Sequence, residues 1–458
     1  MAEQAQDKEQ IMFDKDLLEK ALLNGELEVF REEYFNLHPY DRAKFYLRLE
    51  PESRERIYQF LSPEEMADIF ENIEPEDDEY KDILAEMNPH YAADMLSNMY
   101  TDDAVDVLNE LSKDQVASYL TIMNDESAQE IKDLLHYEEY TAGSIMTTEF
   151  VSIPSNSTVR SAMAILRKQA PNAETIYYTF VINDEKKLVG VVSLRDLIVS
   201  EEDALIKDIM SDRVVSVSVS DDQEDVARTM KDYDFLALPV VDFQNYLLGI
   251  ITVDDIIDVL DEEASEDYSK FAGVSDMDSK DRTSLGAAKK RLPWLIILLF
   301  LGMLTANLIG QFEATLDQVA ILAVFIPLIA GMAGNTGTQA LAVAIRGIAT
   351  GDIKEESKWK LIMREAGTGL ITGTTCGIIV IGIVYIWQGS FFLGILVGCS
   401  VLVSLVVATL AGSFVPLIMH RFNIDPAVAS GPFITTINDI FSILIYLGFA
   451  TLFMSHLM

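Results

Sequence analysis

Residues 289–310 read KKRLPWLIILLFLGMLTANLIG. Three cations give way at Leu292 to an uncharged run, and about 20 apolar residues are what ~30 Å of hydrocarbon requires. The chain changes character at this point. Residues 292–458 hold only 8 acidic and 6 basic side chains, whereas residues 1–291 hold 65 and 28, a net charge of −37 out of −39. A strongly acidic, water-facing front is joined to a nearly charge-free back. That is how a chain of 458 residues can be both 50% hydrophobic and very acidic. The acidity excludes a nucleic-acid partner, because phosphate would be repelled, and favours metal cations. Cys376 and Cys399 lie in the apolar half, with no zinc or disulfide spacing. The opening MAEQAQDKEQ is polar and acidic, unlike a cleavable signal peptide.

Five runs are long enough to span a membrane: Leu292–Gly310, Val319–Ala344, Ala366–Trp387, Phe391–Met419 and Gly431–Phe453. Pro327 and Pro416 predict tilt or kinking in the second and fourth. Lys289, Lys290 and Arg291 precede the first run, Arg346 to Arg364 separate the second and third, and Arg421 separates the fourth and fifth. The other two loops have no Lys or Arg. The positive-inside rule then predicts a cytoplasmic N-terminus and an extracytoplasmic C-terminus in a multi-pass protein of the cell membrane.

The fifth run opens GPFITTIND, residues 431–439. Asp439 falls about 12 Å along that helix, where a carboxylate costs about 3 kcal/mol on insertion scales. No basic residue inside a span can pair with it. A protonated Asp bonded to a neighbouring helix would satisfy it, as would a water-filled path that binds cations. The second run contains GMAGNTGTQ, residues 331–339, whose glycines permit close helix approach. Gly431, Thr435, Asn438 and Asp439, with Asn335 and Thr338, make up the candidate pore lining, although helix–helix hydrogen bonding explains each neutral residue equally well. Hard oxygen ligands suit Mg²⁺ better than Zn²⁺ or Cu²⁺. Asp425 marks the cytoplasmic mouth, or caps the fifth helix.

In the front half, residues 1–137 read as a helical-repeat domain. Ser62-Pro63, Asn88-Pro89, Thr101-Asp102 and Ser112-Lys113 are helix starts, each followed by an apolar face that must stack on its neighbours. Residues 138–202 and 203–262 are two copies of one unit. Ala142-Gly143-Ser144-Ile145-Met146 and the segment Leu188–Leu197 of the first recur as Ile206–Met210 and Leu248–Ile256 in the second. The paired "IM" and "LxGxx(S/T)xxD" patterns resemble the CBS-domain family. That resemblance implies an α/β pair with a cleft for an adenine nucleotide such as ATP, and places Tyr178, Ser193, Arg195, Asp196 and Thr252 at it. The plainer expectation is that Ser193 and Thr252 cap the helices that follow them, with Asp196 and Asp255 at the third helical position.

Eight carboxylates crowd residues 254–267, on a segment that runs through residues 263–291 into the first span. Such a helix repels itself unless counter-ions gather on it. Acidic segment, CBS pair, Gly334-Asn335-Thr336-Gly337 and Thr435-Thr436-Ile437-Asn438-Asp439 together resemble the MgtE family of magnesium transporters, in order and over essentially the whole chain. The resemblance implies a multidomain α plus α/β homodimer: helical superhelix, tandem CBS pair, connecting "plug" helix (263–291) and five-helix membrane domain (292–458). It implies no enzyme, a pore in which Asp439 holds hydrated Mg²⁺, and closure by cytosolic Mg²⁺. The implied regulatory ligands are Asp222, Glu224, Asp234, Asp255, Asp258, Glu263, Glu266 and Asp267, with Asp94, Asp102 and Asp103 as candidates from the helical domain. An H⁺- or Na⁺-coupled carrier, and a membrane-anchored sensor without transport, are the two rival readings.

Overall fold

The computed structural model describes residues 15–73, 79–274, 283–350, 358–422 and 424–457. The chain divides into two units, Met1–Leu260 and Asp261–Met458.

The first unit begins with helices α1 (Lys15–Asn24), α2 (Leu27–Phe35), α3 (Pro39–Leu47), α4 (Pro51–Phe60), α5 (Pro63–Phe70), α6 (Glu79–Glu86), α7 (Pro89–Leu96), α8 (Thr101–Asn109), α9 (Lys113–Ile122) and α10 (Asp125–Leu134). Proline opens α3, α4, α5 and α7, where its missing N–H costs nothing. Ser62 and Glu65 form a reciprocal capping box at α5, and Asn88 caps α7. α8 starts at Thr101 as expected, but the capping position before it belongs to Tyr100, whose side chain caps nothing. The inward faces bury Phe30, Tyr34, Tyr46, Phe70, Met95 and Leu108.

The two copies that follow are equivalent strand for strand. β1 (Ser152–Pro154) lies parallel to β2 (Tyr178–Ile182), which pairs antiparallel with β3 (Leu188–Ser193). β4 (Val217–Ser218), β5 (Ala237–Val241) and β6 (Leu247–Thr252) repeat the order. Tyr178 faces Ser193 in one sheet as Ala237 faces Thr252 in the other. Helices α11 (Val159–Gln169), α12 (Leu194–Val199), α13 (Ile206–Ile209) and α14 (Gln223–Tyr233) complete the pair. The two sequence signatures meet across the copies. A Cβ on Gly249 would strike Met146 and the Thr147 carbonyl, and one on Gly190 would strike Met210. Each "IM" methionine therefore seats on the other copy's glycine, and neither copy closes its core alone.

α15 (Val253–Ala272) is a continuous twenty-residue helix carrying the acidic run. Residues 275–282 of the expected connecting helix lie outside the described residues. In the second unit, α16 (Ser284–Gly310), α18 (Leu322–Ala349), α19 (Lys358–Gln388), α20 (Phe391–Arg421) and α21 (Gly431–Leu452) are long and apolar enough to cross a membrane. Short α17 (Glu313–Gln318) and α22 (Met454–Leu457) accompany them. α16 starts at Ser284, ahead of the apolar run, because Thr283 caps it through the Gly286 N–H. α20 is the most enclosed span and packs on α18, α19 and α21, while the apolar window of α16 stays exposed. α18 and α21 approach closely. A Cβ at Gly337 would overlap the Asn438 amide, which would have to move to admit it.

Candidate functional site

The first unit encloses a cavity of about 430 Å³ whose lining includes Glu71, Asp102, Asp103, Asp106, Glu174, Asp254, Asp255 and Asp258. No lysine or arginine is among its described lining residues. α8 brings Asp102, Asp103 and Asp106 by its 3.6-residue period, the first turns of α15 bring Asp254, Asp255 and Asp258, and the segment before β2 brings Glu174. Burial, and then neighbouring carboxylates, push these acids up: Glu71 to about 7, Asp103 and Glu174 to about 8, and Asp102 well above the ordinary range. Asp255 rises to about 6 through burial and the Asp254 charge, although it accepts the Thr252 hydroxyl at 2.6 Å. Asp102 is 8% exposed, and its Oδ1, like Glu174 Oε2, is buried with no hydrogen-bond partner among the described residues. Buried acceptors without donors are costly, and a cation among them would remove both the repulsion and the desolvation cost. No three acidic, His or Cys side chains among the described residues converge as a direct coordination set. The cavity therefore suits an ion that keeps its water shell, as Mg²⁺ tends to.

A second acidic group belongs to the second unit. At the end of α15, Lys270 Nζ reaches Glu266 Oε1 at 2.5 Å and Asp425 Oδ2 at 2.6 Å. Asp267 beside them is raised to about 6 by burial and then by the Asp425 charge. Asp425 therefore does not cap the fifth span. Ser430 holds the capping position, and the Asp425 carboxylate is turned to the lysine. Phe271 packs with Leu341, Ile345, Ala429 and Ile434, which sets the last turn of α15 against the C-terminal end of α18 and the start of α21. Glu263 is half-buried one turn earlier.

Inside the membrane half, Thr338 and Thr435 hydroxyls lie 3.2 Å apart, and Gly334 meets the Thr435 methyl. Asn438 is 1% exposed against Gly337, with both amide atoms unpartnered among the described residues. Asn438, Thr435, Thr338 and Gly431 thus form the α18–α21 contact. Asn335 is exposed and Asp439 half-buried on the adjoining faces. Among the described residues no basic side chain pairs with Asp439.

Other expected residues are distributed differently. Asp222 caps α14 and Glu224 pairs with Arg228, but Asp234 sits at the far end of that helix in a left-handed conformation. About 18 Å of helix separates Asp222 from Asp234, so the three do not form one site within the chain. Asp94 is exposed and does not line the acidic cavity. On the CBS pair, Tyr178, Ser193 and Arg195 line a cleft of about 470 Å³, and Tyr178 also lines one of about 160 Å³ with Arg213 and Phe235. Asp196 and Thr252 line neither. Ser193–Asp196 and Thr252–Asp255 are capping pairs, with hydroxyl-to-carboxylate distances of 2.6 Å in both. Sequence reasoning missed Glu71, Asp106, Glu174, Lys270 and Arg213. Asp106 was accessible from its helical spacing to Asp102 and Asp103, and Lys270 is the sole cation of α15.

These features define a multi-pass membrane protein with a tandem CBS pair and a buried acidic cavity in its first unit. The divalent cation transporter domain MgtE matches residues 326–449, the MgtE intracellular N domain residues 37–140, and CBS domains residues 142–202 and 206–262. The chain is 54% identical to the magnesium transporter MgtE of Enterococcus faecalis, over 96% of this chain and 97% of that one. The crystal structure of the soluble part of a magnesium transporter covers 55% of this chain and 98% of its own at 58% identity (TM-score 0.54). The cytosolic domain of the Mg²⁺ channel MgtE in complex with ATP covers 54% and 99% at 35% identity (TM-score 0.50). The chain belongs to the MgtE family of divalent cation transporters.

Proposed function

We propose that the protein is a Mg²⁺-selective conduit of the cell membrane, closed by Mg²⁺ on the side that holds its soluble unit. The observation that carries this reading is Asp439, a carboxylate inside a span with no basic partner among the described residues and a row of small and hydroxyl residues beside it. In a single chain Asn335 is exposed and Asp439 half-buried, and polar groups inside a span call for a wet surface or a partner. In a homodimer with these faces at the twofold axis, two Asp439 carboxylates flank one hydrated ion. The N-terminus is cytoplasmic and the C-terminus extracytoplasmic, as the Lys/Arg distribution supports.

Regulation belongs to the acidic cavity. Asp102, Asp103, Glu174, Asp255 and Asp258 hold Mg²⁺ through its water shell, which favours the compact arrangement when the ion is abundant. Without it the carboxylates repel and the arrangement loosens. Mg²⁺ must bind the compact, closed state more tightly than the open one. At the end of α15, Lys270 supplies positive charge for Glu266 and Asp425. An adenine nucleotide occupies the CBS cleft against Tyr178, Ser193 and Arg195. The test is Mg²⁺ flux into proteoliposomes for wild type and Asp439→Ala at low and high Mg²⁺ on the cytosolic face. Loss of flux in the variant, with suppression by cytosolic Mg²⁺ in wild type, supports both parts. A folded wild-type protein that carries no Mg²⁺ under any gradient overturns the conduit.

A further inference from the structure

We propose that Glu149 is a positioning residue that assembles the acidic cavity by protein contacts alone and so sets the Mg²⁺ concentration at which the cavity fills. The proposal rests on the gating reading above. Glu149 follows Thr147 and Thr148 in the segment entering the first CBS copy. Its Oε1 accepts the Thr101 hydroxyl at 2.5 Å. Its Oε2 accepts the Thr147 hydroxyl at 2.7 Å, the Thr148 N–H at 3.1 Å and the Thr101 N–H at 3.4 Å; the Thr148 hydroxyl, 3.0 Å from the Thr101 hydroxyl, is shared between that oxygen and Oε2 at 3.3 Å. A carboxylate offers about four lone-pair positions. This one is nearly filled by protein donors and has little left for a metal, unlike the orphaned oxygens of Asp102 and Glu174.

Its connections run to those two residues. Thr101 immediately precedes Asp102, and the Glu149 carbonyl accepts the Glu174 N–H at 2.8 Å. One residue therefore ties together the backbones that carry both unpartnered cavity oxygens, one from the helical domain and one from the CBS pair. The start of α8 depends on it as well. Tyr100 provides no side-chain cap. Glu71 accepts the Tyr100 N–H at 3.1 Å and Glu149 the next one, at Thr101. Two carboxylates from elsewhere in the fold thus complete the positive end of the helix that presents Asp102, Asp103 and Asp106. The donors are O–H and N–H groups, so this clamp operates at any ion concentration. A cation then enters a cavity whose walls are already in register, and its binding does not bear the cost of ordering them.

The test uses the full chain in lipid nanodiscs, with Mn²⁺ as probe by electron paramagnetic resonance and cytosolic inhibition of Mg²⁺ flux in parallel. Sites lost in Asp102→Asn define the cavity's share of the bound Mn²⁺. Glu149→Ala should weaken that share about tenfold, which is about 1.4 kcal/mol. The half-inhibiting Mg²⁺ concentration should rise by a similar factor, with flux at nominally zero cytosolic Mg²⁺ unchanged. Thr101→Val, which removes only the hydroxyl, should weaken binding in the same direction, and the double variant should be no weaker than Glu149→Ala alone. Glu149→Gln, which keeps an acceptor for the Thr101 hydroxyl, should recover part of the loss. Unchanged Mn²⁺ affinity in either single variant, or fully additive effects, overturns the proposal. Wild-type Mn²⁺ binding without inhibition of wild-type flux overturns the gating reading instead, and the binding ratios still decide the role of Glu149.

Discussion

Replacing Lys270 by methionine keeps most of the side chain's volume and removes the only cation of α15. The lysine makes two charge-assisted contacts, at 2.5 Å to Glu266 and 2.6 Å to Asp425, with side-chain exposures of 29% for Lys270, 50% for Glu266 and 35% for Asp425. Buried charged hydrogen bonds contribute about 1.5–3 kcal/mol and exposed ion pairs about 0.2–1 kcal/mol. The Glu266 contact lies within α15 and moves with it, so only the Asp425 contact holds the last turn in place; partial exposure puts that contact near the top of the lower range, about 1 kcal/mol, or about fivefold in an equilibrium. The variant also leaves Asp267 and Asp425 facing each other without the lysine between them. The last turn of α15 should therefore leave the C-terminal end of α18 and the start of α21 more readily. In proteoliposomes, the cytosolic Mg²⁺ concentration that halves flux should rise about fivefold, and Lys270→Arg should restore it. A midpoint within twofold of wild type would refute the reasoning. So would a shift to lower Mg²⁺, because the lysine would then be competing with a metal rather than doing its work.

Two further outcomes are expected. Glu71, Asp103, Glu174 and Asp255 all have carboxyl groups raised in the folded protein, so the native cavity favours their protonated forms. That stability is full below the ordinary carboxylate range near pH 4 and is lost as pH rises through about 6 to 8. In chelator, thermal unfolding of the soluble unit should come at lower temperature at about pH 8.5 than at about pH 5.5, and Mg²⁺ should raise the midpoint more at the higher pH; an equal Mg²⁺ effect at both would contradict the cavity assignment. For the nucleotide, Arg195→Ala should weaken ATP binding at least tenfold by calorimetry on the full protein, and retained wild-type affinity would remove the cleft lined by Tyr178, Ser193 and Arg195 from the account.

Legibility followed the range of the interactions involved. The spans were readable because a membrane imposes a length and a composition on each segment separately, and the caps at Ser62 and Asn88 because a cap is settled within three residues. The duplicated copies were readable as a repeat, but the seating of Met146 on Gly249 and Met210 on Gly190 was not, since it joins residues far apart in sequence. The cavity was half visible. Its α15 acids stand in a conspicuous run, whereas Glu71 and Glu174 are solitary acids whose neighbours give no hint of burial. Asp425 shows the same limit. Its position before a helix suggested a cap, and only the fold brings Lys270, 155 residues away, within 2.6 Å of it. The start of α8 was legible at Thr101-Asp102, but the carboxylates of Glu71 and Glu149 that accept its first N–H groups were not, because they come from elsewhere in the fold.

The measurement closest to the central claim is cytosolic Mg²⁺ inhibition of flux in Asp102→Asn/Glu174→Gln, the pair that carries the cavity's unpartnered oxygens. The two side chains keep their size, so the span half and Asp439 are untouched. Flux that matches wild type at low cytosolic Mg²⁺ and persists at concentrations that silence wild type is the predicted result. Inhibition with the wild-type midpoint in the folded variant would contradict it and place the sensor elsewhere.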